Sequence, residues 1–368
     1  MKIDAKTSTA HSLDICFAIP GLPFNGNTFD QQSLGGSESA GYYMARALAA
    51  RGHRVTVFCN TEPTRCADVD YLPISMFQRY SEFTQHDVSI VQRQPELFHT
   101  PSKARFKALW CHDLALKRTD GLIKGLSWNY DKLFVLSDFM RQQYKEVYSL
   151  PDDFVFQTRN GVDLDLIGAV REKIANLDPK VVSKPLSLIY TARPERGLEV
   201  LLSEIMPKIL AQEPDAKLFL ASYKNPVDHL AEFYAHCNAL GDQFGDRVVY
   251  LGQLTKSQLY EVMQTAGLMV YPVPSRITPD FDEVSCISAM EAQACGLPIV
   301  TSARGALPET IAPGAGILIP DEVHTEAYAE AFANAALRLM RDPVAWEKAS
   351  QAGVSRGTQL DWSGCAKD

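Results

Sequence analysis

The sequence predicts two α/β domains, each built on a doubly wound parallel sheet, facing each other across a cleft. Three observations predict it. Strand-like and helix-like segments alternate along nearly the whole chain, and the alternation pauses at 150–185 and then restarts. A chain of 368 residues is also too long for one compact core and fits two domains of ordinary size.

The first series opens with the apolar run Leu13–Ile19, read as a buried strand. A Gly-containing loop and a helix over roughly 37–51 follow, and Arg51-Gly52-His53 stops that helix. Arg54–Phe58, Val88–Val91, Lys107–Cys111 and Lys132–Leu136 read as further short strands. The second series runs Leu186–Tyr190, Lys217–Ala221, Val248–Leu251, Leu268–Tyr271 and Pro298–Thr301. Continuous apolar strands separated by helices imply parallel sheets covered on both faces, so both domains are expected to be Rossmann-like. In such sheets ligands bind beyond the carboxyl ends of the strands, and chemistry is expected in the loops just after them. The tail from about 324 reads as helical, with Ala327 to Met340 its clearest run.

Composition excludes several classes. Apolar residues make up 46% and charged residues 22% of the chain, the range of soluble globular proteins, and no apolar run is long enough to cross a bilayer. Met1–Thr7 has no apolar core of a signal peptide, so a cytoplasmic protein is expected. Eight cysteines form no CxxC pair and no zinc-spaced cluster; Cys16, Cys59 and Cys111 lie in or beside apolar runs and read as buried thiols. The net charge is −8: residues 1–160 carry 18 basic and 17 acidic side chains, residues 161–368 carry 18 and 27. Nucleic acid is not expected as a partner of such a chain. The basic residues between Arg93 and Lys132 are either a solvated surface or a peripheral contact of the N-terminal domain with an anionic membrane.

Four segments can carry chemistry. Leu34-Gly35-Gly36-Ser37-Glu38 leads into a helix, and paired glycines there bring free backbone N–H groups close to an anion or sugar oxygen, or simply make a tight turn. The string is not GxGxxG, which counts against a dinucleotide-dependent oxidoreductase. Trp110-Cys111-His112-Asp113 follows a strand: His112 can donate to a sugar hydroxyl with Asp113 orienting it, or be an ordinary hydrogen-bonded histidine. Arg193-Pro194-Glu195-Arg196-Gly197 sits at a strand-to-helix turn suited to a diphosphate, with Glu195 or Glu199 able to pair with one arginine.

The fourth segment, Pro279–Pro298, is the most informative. Ser285 is a candidate cap for a helix that Gly296 ends, with Glu283 just before it and Glu291 within it. Eight helical residues rise about 12 Å. Two carboxylates so far apart cannot share one glycosidic bond, which needs roughly 5–9.5 Å. They can grip two distant parts of one extended ligand.

This pattern, Glu-x7-Glu followed by Ala-x-Ala-Cys-Gly-x-Pro-Ile-Val, resembles that of family 4 retaining glycosyltransferases of the GT-B fold. Leu34–Glu38, Trp110–Asp113, Leu136–Met140, Arg159–Asp163, Arg193–Leu198, Tyr250–Gly252 and Gly305–Glu309 agree with the family in the same order, over about residues 13–320. The family usually has Lys-Gly five residues after the Arg, where this chain has Arg196-Gly197 after three. It also has Gly-Phe-Gly after the first Glu, where this chain has Val284-Ser285-Cys286.

The resemblance implies an acceptor-binding domain over 1–165, a nucleotide-sugar-binding domain over 166–345 and a tail over 346–368 returning to the first domain. It implies that Glu283 contacts the donor sugar, Glu291 the ribose, and Arg196 with Arg193 the diphosphate. His112 would touch the transferred sugar, and Gly35 and Gly36 would lie near donor phosphate or acceptor. The N–H groups of Val284, Ser285, Cys286 and Ile287 would complete the anion site. The partners expected are a nucleoside-diphosphate sugar and a glycan, lipid-linked or small-molecule acceptor in cell-surface polysaccharide or glycolipid synthesis. No cofactor or metal is expected: three Asp-x-Asp strings (68–70, 163–165, 280–282) occur by chance in so acidic a chain, and arginines already serve the diphosphate. A non-catalytic sugar-nucleotide-binding protein of the same fold is the alternative.

Overall fold

The computed structural model describes residues 12–32, 34–176, 184–221, 228–320 and 322–367. Met1–Thr7, on which the reading of the amino terminus rests, lies outside the described residues.

The first sheet has eight strands: β1 (Asp14–Ile19), β2 (Arg54–Cys59), β3 (Thr64–Cys66), β4 (Val69–Pro73), β5 (His86–Gln92), β6 (Ala104–Trp110), β7 (Lys132–Val135) and β8 (Val155–Gln157). Their order is β3-β4-β2-β1-β5-β6-β7-β8, and every pairing is parallel except β3 with β4. The second sheet has six: β9 (Lys184–Tyr190), β10 (Lys217–Ala221), β11 (Val248–Gly252), β12 (Ala266–Tyr271), β13 (Ile299–Ser302) and β14 (Gly316–Ile319), in the order β11-β10-β9-β12-β13-β14, all parallel. The two doubly wound α/β domains of the sequence reading are therefore present.

Strand order reverses between β1 and β5 in one sheet and between β9 and β12 in the other. A crevice opens beyond the carboxyl ends at each reversal, because the connections leave to opposite faces of the sheet. At the first crevice lie the turn after Ile19 and the residues after Gln92; at the second lie the turns after Tyr190 and Tyr271. Nearly all the chemistry inferred from sequence sits on these turns.

Strands β3, β4, β8 and β14 are missing from the sequence reading. Strands of three to five residues leave too little periodicity to recognise, and the β3–β4 hairpin turns through Ala67 and Asp68 at positive φ without a glycine. The expected domain limit at 165 falls inside the helix Leu164–Ala175. Its Ile167, Val170 and Ile174 belong to the second core, so the chain changes domain before it. The helix Pro343–Gly357 also stays on the second domain, where its Gly357 packs so closely on Ala294 that a Cβ would lie 2.5 Å from that residue's Cα. Only the end of the tail returns: Trp362 and Cys365 join the first core, and Trp362 stacks on Tyr43 at 5.9 Å.

Where the two crossing segments meet, Val162 N–H donates to the Leu360 carbonyl at 2.7 Å, both residues lying in the second core. Side-chain hydrogen bonds join the domains. Asn160 donates to Ser285 Oγ at 3.1 Å. Glu309, from the loop after β13, accepts from the N–H groups of Asp138 and Phe139 at 2.8 Å each, so a carboxylate of one domain caps a helix of the other. Among the described residues no helix is long and apolar enough to cross a membrane. In the basic run, Arg93 pairs with Asp113, Arg105 with Asp87 and Lys124 with Asp120.

Glu309→Ala is expected to loosen the approach of the two domains while leaving each core intact. Small-angle scattering should show a larger radius of gyration with an unchanged far-UV CD spectrum; an unchanged radius would contradict the clasp.

Candidate active site

Between the two crevices lies a cleft of about 850 Å³. Of the eleven residues expected at the site, ten line it: Gly35, Gly36, His112, Arg193, Arg196, Glu283, Val284, Ser285, Cys286 and Ile287. Glu291 does not.

On the first domain the helix Gly36–Ala50 begins beside β1 with Gly35 as its cap residue and no side-chain cap. The first turn's acid, Glu38, is 4% exposed and already engaged: it accepts from Leu22 N–H at 3.2 Å and from Ser37 Oγ at 2.9 Å. A Cβ at Gly35 would lie 2.6 Å from this carboxylate, so the glycine here makes room for Glu38 as well as for any ligand.

His112 is oriented differently from the sequence reading. Asp113 is turned outward in a two-pronged pair with Arg93, at 2.7 and 2.9 Å, so it does not orient the ring. The orienting residue is Gln92, at the end of β5 and paired in register with Trp110 on β6. Its amide nitrogen donates to the Ser37 carbonyl at 2.8 Å and lies 2.7 Å from His112 Nε2. The carbonyl of Ser37 identifies that atom as nitrogen, so His112 Nε2 accepts and Nδ1 carries the proton. Burial pushes the His112 pKa down to about 3, with Asp113 opposing and Arg93 reinforcing the shift. The ring is therefore a neutral imidazole with one N–H to offer a ligand.

On the second domain, Arg193 and Arg196 come from the turn after β9 but are held in different ways. Arg193 Nε lies 2.6 Å from Glu195, which is 4% exposed and also accepts from Tyr234 at 2.7 Å. Glu195, not Glu199, is thus the partner the sequence left open. Arg196 makes no ion pair among the described residues; its guanidinium carbon lies over the Phe281 ring, 3.3 Å from the ring centroid. The turn closes at Gly197 (φ +115°), where a Cβ would lie 1.5 Å from the Pro272 carbonyl oxygen, so only glycine fits.

Glu283 is half-buried at the floor of the cleft. Burial raises its pKa, while the Tyr271 hydroxyl that donates to it and the nearby Arg196 charge act in the opposite direction. Its backbone is clamped by the loop after β13: Ala306 N–H donates to the Glu283 carbonyl at 2.7 Å, and a Cβ at Gly305 would lie 2.5 Å from that same oxygen. The helix that follows, Ile287–Cys295, ends at Gly296 as expected. Its cap residue is Cys286 rather than Ser285, because Ser285 turns to Asn160 instead, and no side-chain hydrogen bond caps the helix. Burial first, and then the Glu283 charge, push the Cys286 thiol well up, so it stays protonated.

Glu291 is the expected contact that the structure does not bring to the cleft wall. It is 2% exposed, and its Oε1 accepts from Lys256 Nζ at 2.5 Å and from Tyr260 at 2.9 Å. Because the helix begins only at Ile287, Glu291 lies in its second turn and faces the helix Lys256–Thr265, and Lys256 lines the cleft in its place. Lys256, Gln92, Tyr271 and Phe281 escaped the sequence reading. The Asp-x-Asp strings have structural partners: Asp68 and Asp70 pair with Arg65, Asp163 caps the helix Leu164–Ala175, and Asp282 pairs with Arg304.

Two doubly wound domains with their switch points facing across one cleft define the GT-B class, and comparison with known proteins agrees. The structure superposes on sucrose-phosphate synthase from Thermosynechococcus elongatus with a TM-score of 0.73 at 19% identity, covering 96% of both chains. It superposes on Anabaena Alr3699/HepE, solved with UDP and glucose, with a TM-score of 0.67 at 15% identity, covering 96% of this chain and 97% of that one. The family model Glycosyl transferases group 1 matches residues 186–342, and Glycosyltransferase Family 4 matches residues 34–166. The chain belongs to the family 4 glycosyltransferases.

A GDP-mannose-dependent monoacylated alpha-(1-6)-phosphatidylinositol monomannoside mannosyltransferase of Corynebacterium glutamicum is 22% identical over 249 residues, covering 66% of this chain and 61% of that protein. D-inositol 3-phosphate glycosyltransferase of Mycolicibacterium smegmatis is 25% identical over 237 residues, covering 63% of this chain and 50% of that protein. The matched part of the chain thus spans about half to three-fifths of the length of these relatives.

Two predictions follow from the geometry. Because the folded-state pKa of His112 lies below its ordinary 6.5, the unfolded chain binds the proton more readily between about 3 and 6.5. His112 should therefore cost stability as pH falls from 6.5 toward 3, and ¹⁵N NMR should show a neutral Nδ1–H ring that does not titrate between about pH 5 and 8. A midpoint near 6.5 would contradict the assignment. Gly197→Ala should lower unfolding free energy by about 3 kcal/mol or more, because the clash is with backbone that cannot rotate away. Wild-type stability in a denaturant titration would contradict this close approach.

Proposed function

We propose that the chain is a retaining, metal-independent glycosyltransferase that moves a sugar from a nucleoside-diphosphate sugar to a hydroxyl of a glycan, lipid-linked or small-molecule acceptor. The observation that carries the reading is Arg196: a guanidinium without an ion pair among the described residues, beside a half-buried carboxylate and the uncapped start of the helix Ile287–Cys295. A fixed cation next to uncapped N–H groups suits a diphosphate, and Glu283 beside it suits sugar hydroxyls.

In the reaction, the bond between the donor's anomeric carbon and its phosphate oxygen breaks as the acceptor oxygen bonds to that carbon on the same face. The leaving phosphate oxygen takes the acceptor proton. Arg196, Arg193 and the helix-start N–H groups stabilise the charge that develops on the diphosphate, while a neutral His112 donates from Nδ1 to the transferred sugar. Electrostatic stabilisation of the leaving group is the main term, because no side chain in the cleft is placed as an evident nucleophile. The Cys286 thiol is held protonated. Glu291 Oε1 holds Lys256, which lines the cleft, while its Oε2 is buried without a hydrogen-bond partner. The setting proposed is cell-surface polysaccharide or glycolipid assembly, consistent with the lipid acceptor named for the corynebacterial relative.

Incubation with UDP-glucose and with GDP-mannose should reveal slow hydrolysis or transfer of one of them, and activity should survive EDTA. Arg196→Ala should then lower turnover by a factor on the order of 10²–10³. Normal turnover in that variant would refute the role of Arg196, and an absolute requirement for Mn²⁺ would refute the metal-independent reading.

A further inference from the structure

Arg193 and Arg196 lie three residues apart on one turn, yet they are immobilised by opposite means. Arg193 is held by a carboxylate, Glu195, 2.6 Å from its Nε. Arg196 is held by an aromatic face, 3.3 Å from the Phe281 centroid. The difference is chemical. An ion pair offsets the charge of the guanidinium it holds. A cation held over a ring forms no ion pair and keeps its full charge.

Phe281 is well fixed for this task. Its N–H donates to Thr278 at 3.0 Å, and Thr278 Oγ1 donates to the Glu195 carbonyl at 2.7 Å, inside the very turn that carries Arg196. Arg304 braces the same loop through Asp282 at 2.5 Å and the Pro279 carbonyl at 2.8 Å. Arg276 anchors its other end to Glu204 at 2.7 Å. Glu283 lies two residues beyond Phe281, and the Arg196 charge already acts on it. With the ring removed, attraction in this half-buried site would draw Arg196 onto Glu283, consuming the donors of one and the acceptors of the other.

We propose that Phe281 is a positioning residue that keeps Arg196 extended and charged for the donor diphosphate, preventing an Arg196–Glu283 ion pair. The proposal rests on the reading of the cleft as a nucleotide-sugar site.

The test compares wild type with Phe281→Leu, which keeps apolar bulk but loses the π face, and Phe281→Tyr, which keeps it. Affinities for UDP, GDP, uridine and guanosine are measured by NMR titration. For whichever base the wild type accepts, Phe281→Leu should weaken the nucleoside diphosphate by roughly 3- to 30-fold, the range of a partly desolvated cation–π contact. It should leave the nucleoside within about twofold, and Phe281→Tyr should bind like wild type. Equal weakening of diphosphate and nucleoside would mean a general structural loss and would overturn the proposal, as would wild-type diphosphate binding by Phe281→Leu. A wild-type protein that binds neither UDP nor GDP would refute the nucleotide-sugar reading itself, and the role of Phe281 with it.

Discussion

Gly197 has no room for a methyl group, and the rest of the site depends on that. Its missing Cβ would lie 1.5 Å from the Pro272 carbonyl oxygen, so the turn after β9 is pressed backbone to backbone against the chain leaving β12. These are the two strands between which the order of the second sheet reverses. The contact brings Arg196, the residue before Gly197, beneath Phe281 and beside Glu283, nine and eleven residues beyond Pro272. A second close approach works from the other side, where Gly305 and Ala306 clamp the Glu283 backbone. Cation, carboxylate and helix start are thus set by main-chain contacts, which are stiffer than side-chain ones.

The charges of the cleft sort into those that build it and those left for a ligand. Glu38 is taken by Leu22 N–H and Ser37, Asp113 by Arg93, Glu195 by Arg193 and Tyr234, Asp282 by Arg304, and Glu291 by Lys256 and Tyr260. Arg196 and Glu283 remain beside each other without a direct ion pair among the described residues, a costly arrangement in a half-buried site. Residues held short of their best partner mark a site that waits for a ligand. His112 fits the same pattern, since a half-buried neutral imidazole can donate without adding charge.

The fold was legible in the sequence because long apolar runs such as Leu13–Ile19 and Leu268–Tyr271 announce buried parallel strands. The short edge strands were not, since three residues carry no period. At the site, the turns were legible because they follow strands, and Gly296 marked a helix end where it stands. Partners were harder to read. Asp113 is next to His112 in sequence, yet Gln92 orients the ring because β5 and β6 pair side by side. Glu291 stands on the expected helix, but spacing does not show that Lys256 accompanies it there. Phe281 lies in a loop whose path depends on the ion pairs of Arg304 with Asp282 and of Arg276 with Glu204, and no periodicity announces those pairs.

The proposed anion cradle of this cleft is Arg196 together with the start of the helix Ile287–Cys295. A crystal structure with a bound nucleoside diphosphate tests it most directly. The expected result is diphosphate oxygens within hydrogen-bonding distance of the Arg196 guanidinium and of backbone N–H groups at 286–288, with Phe281 still in contact with the arginine. A diphosphate bound elsewhere, or held in the cleft through a metal ion with Arg196 turned away, would contradict it.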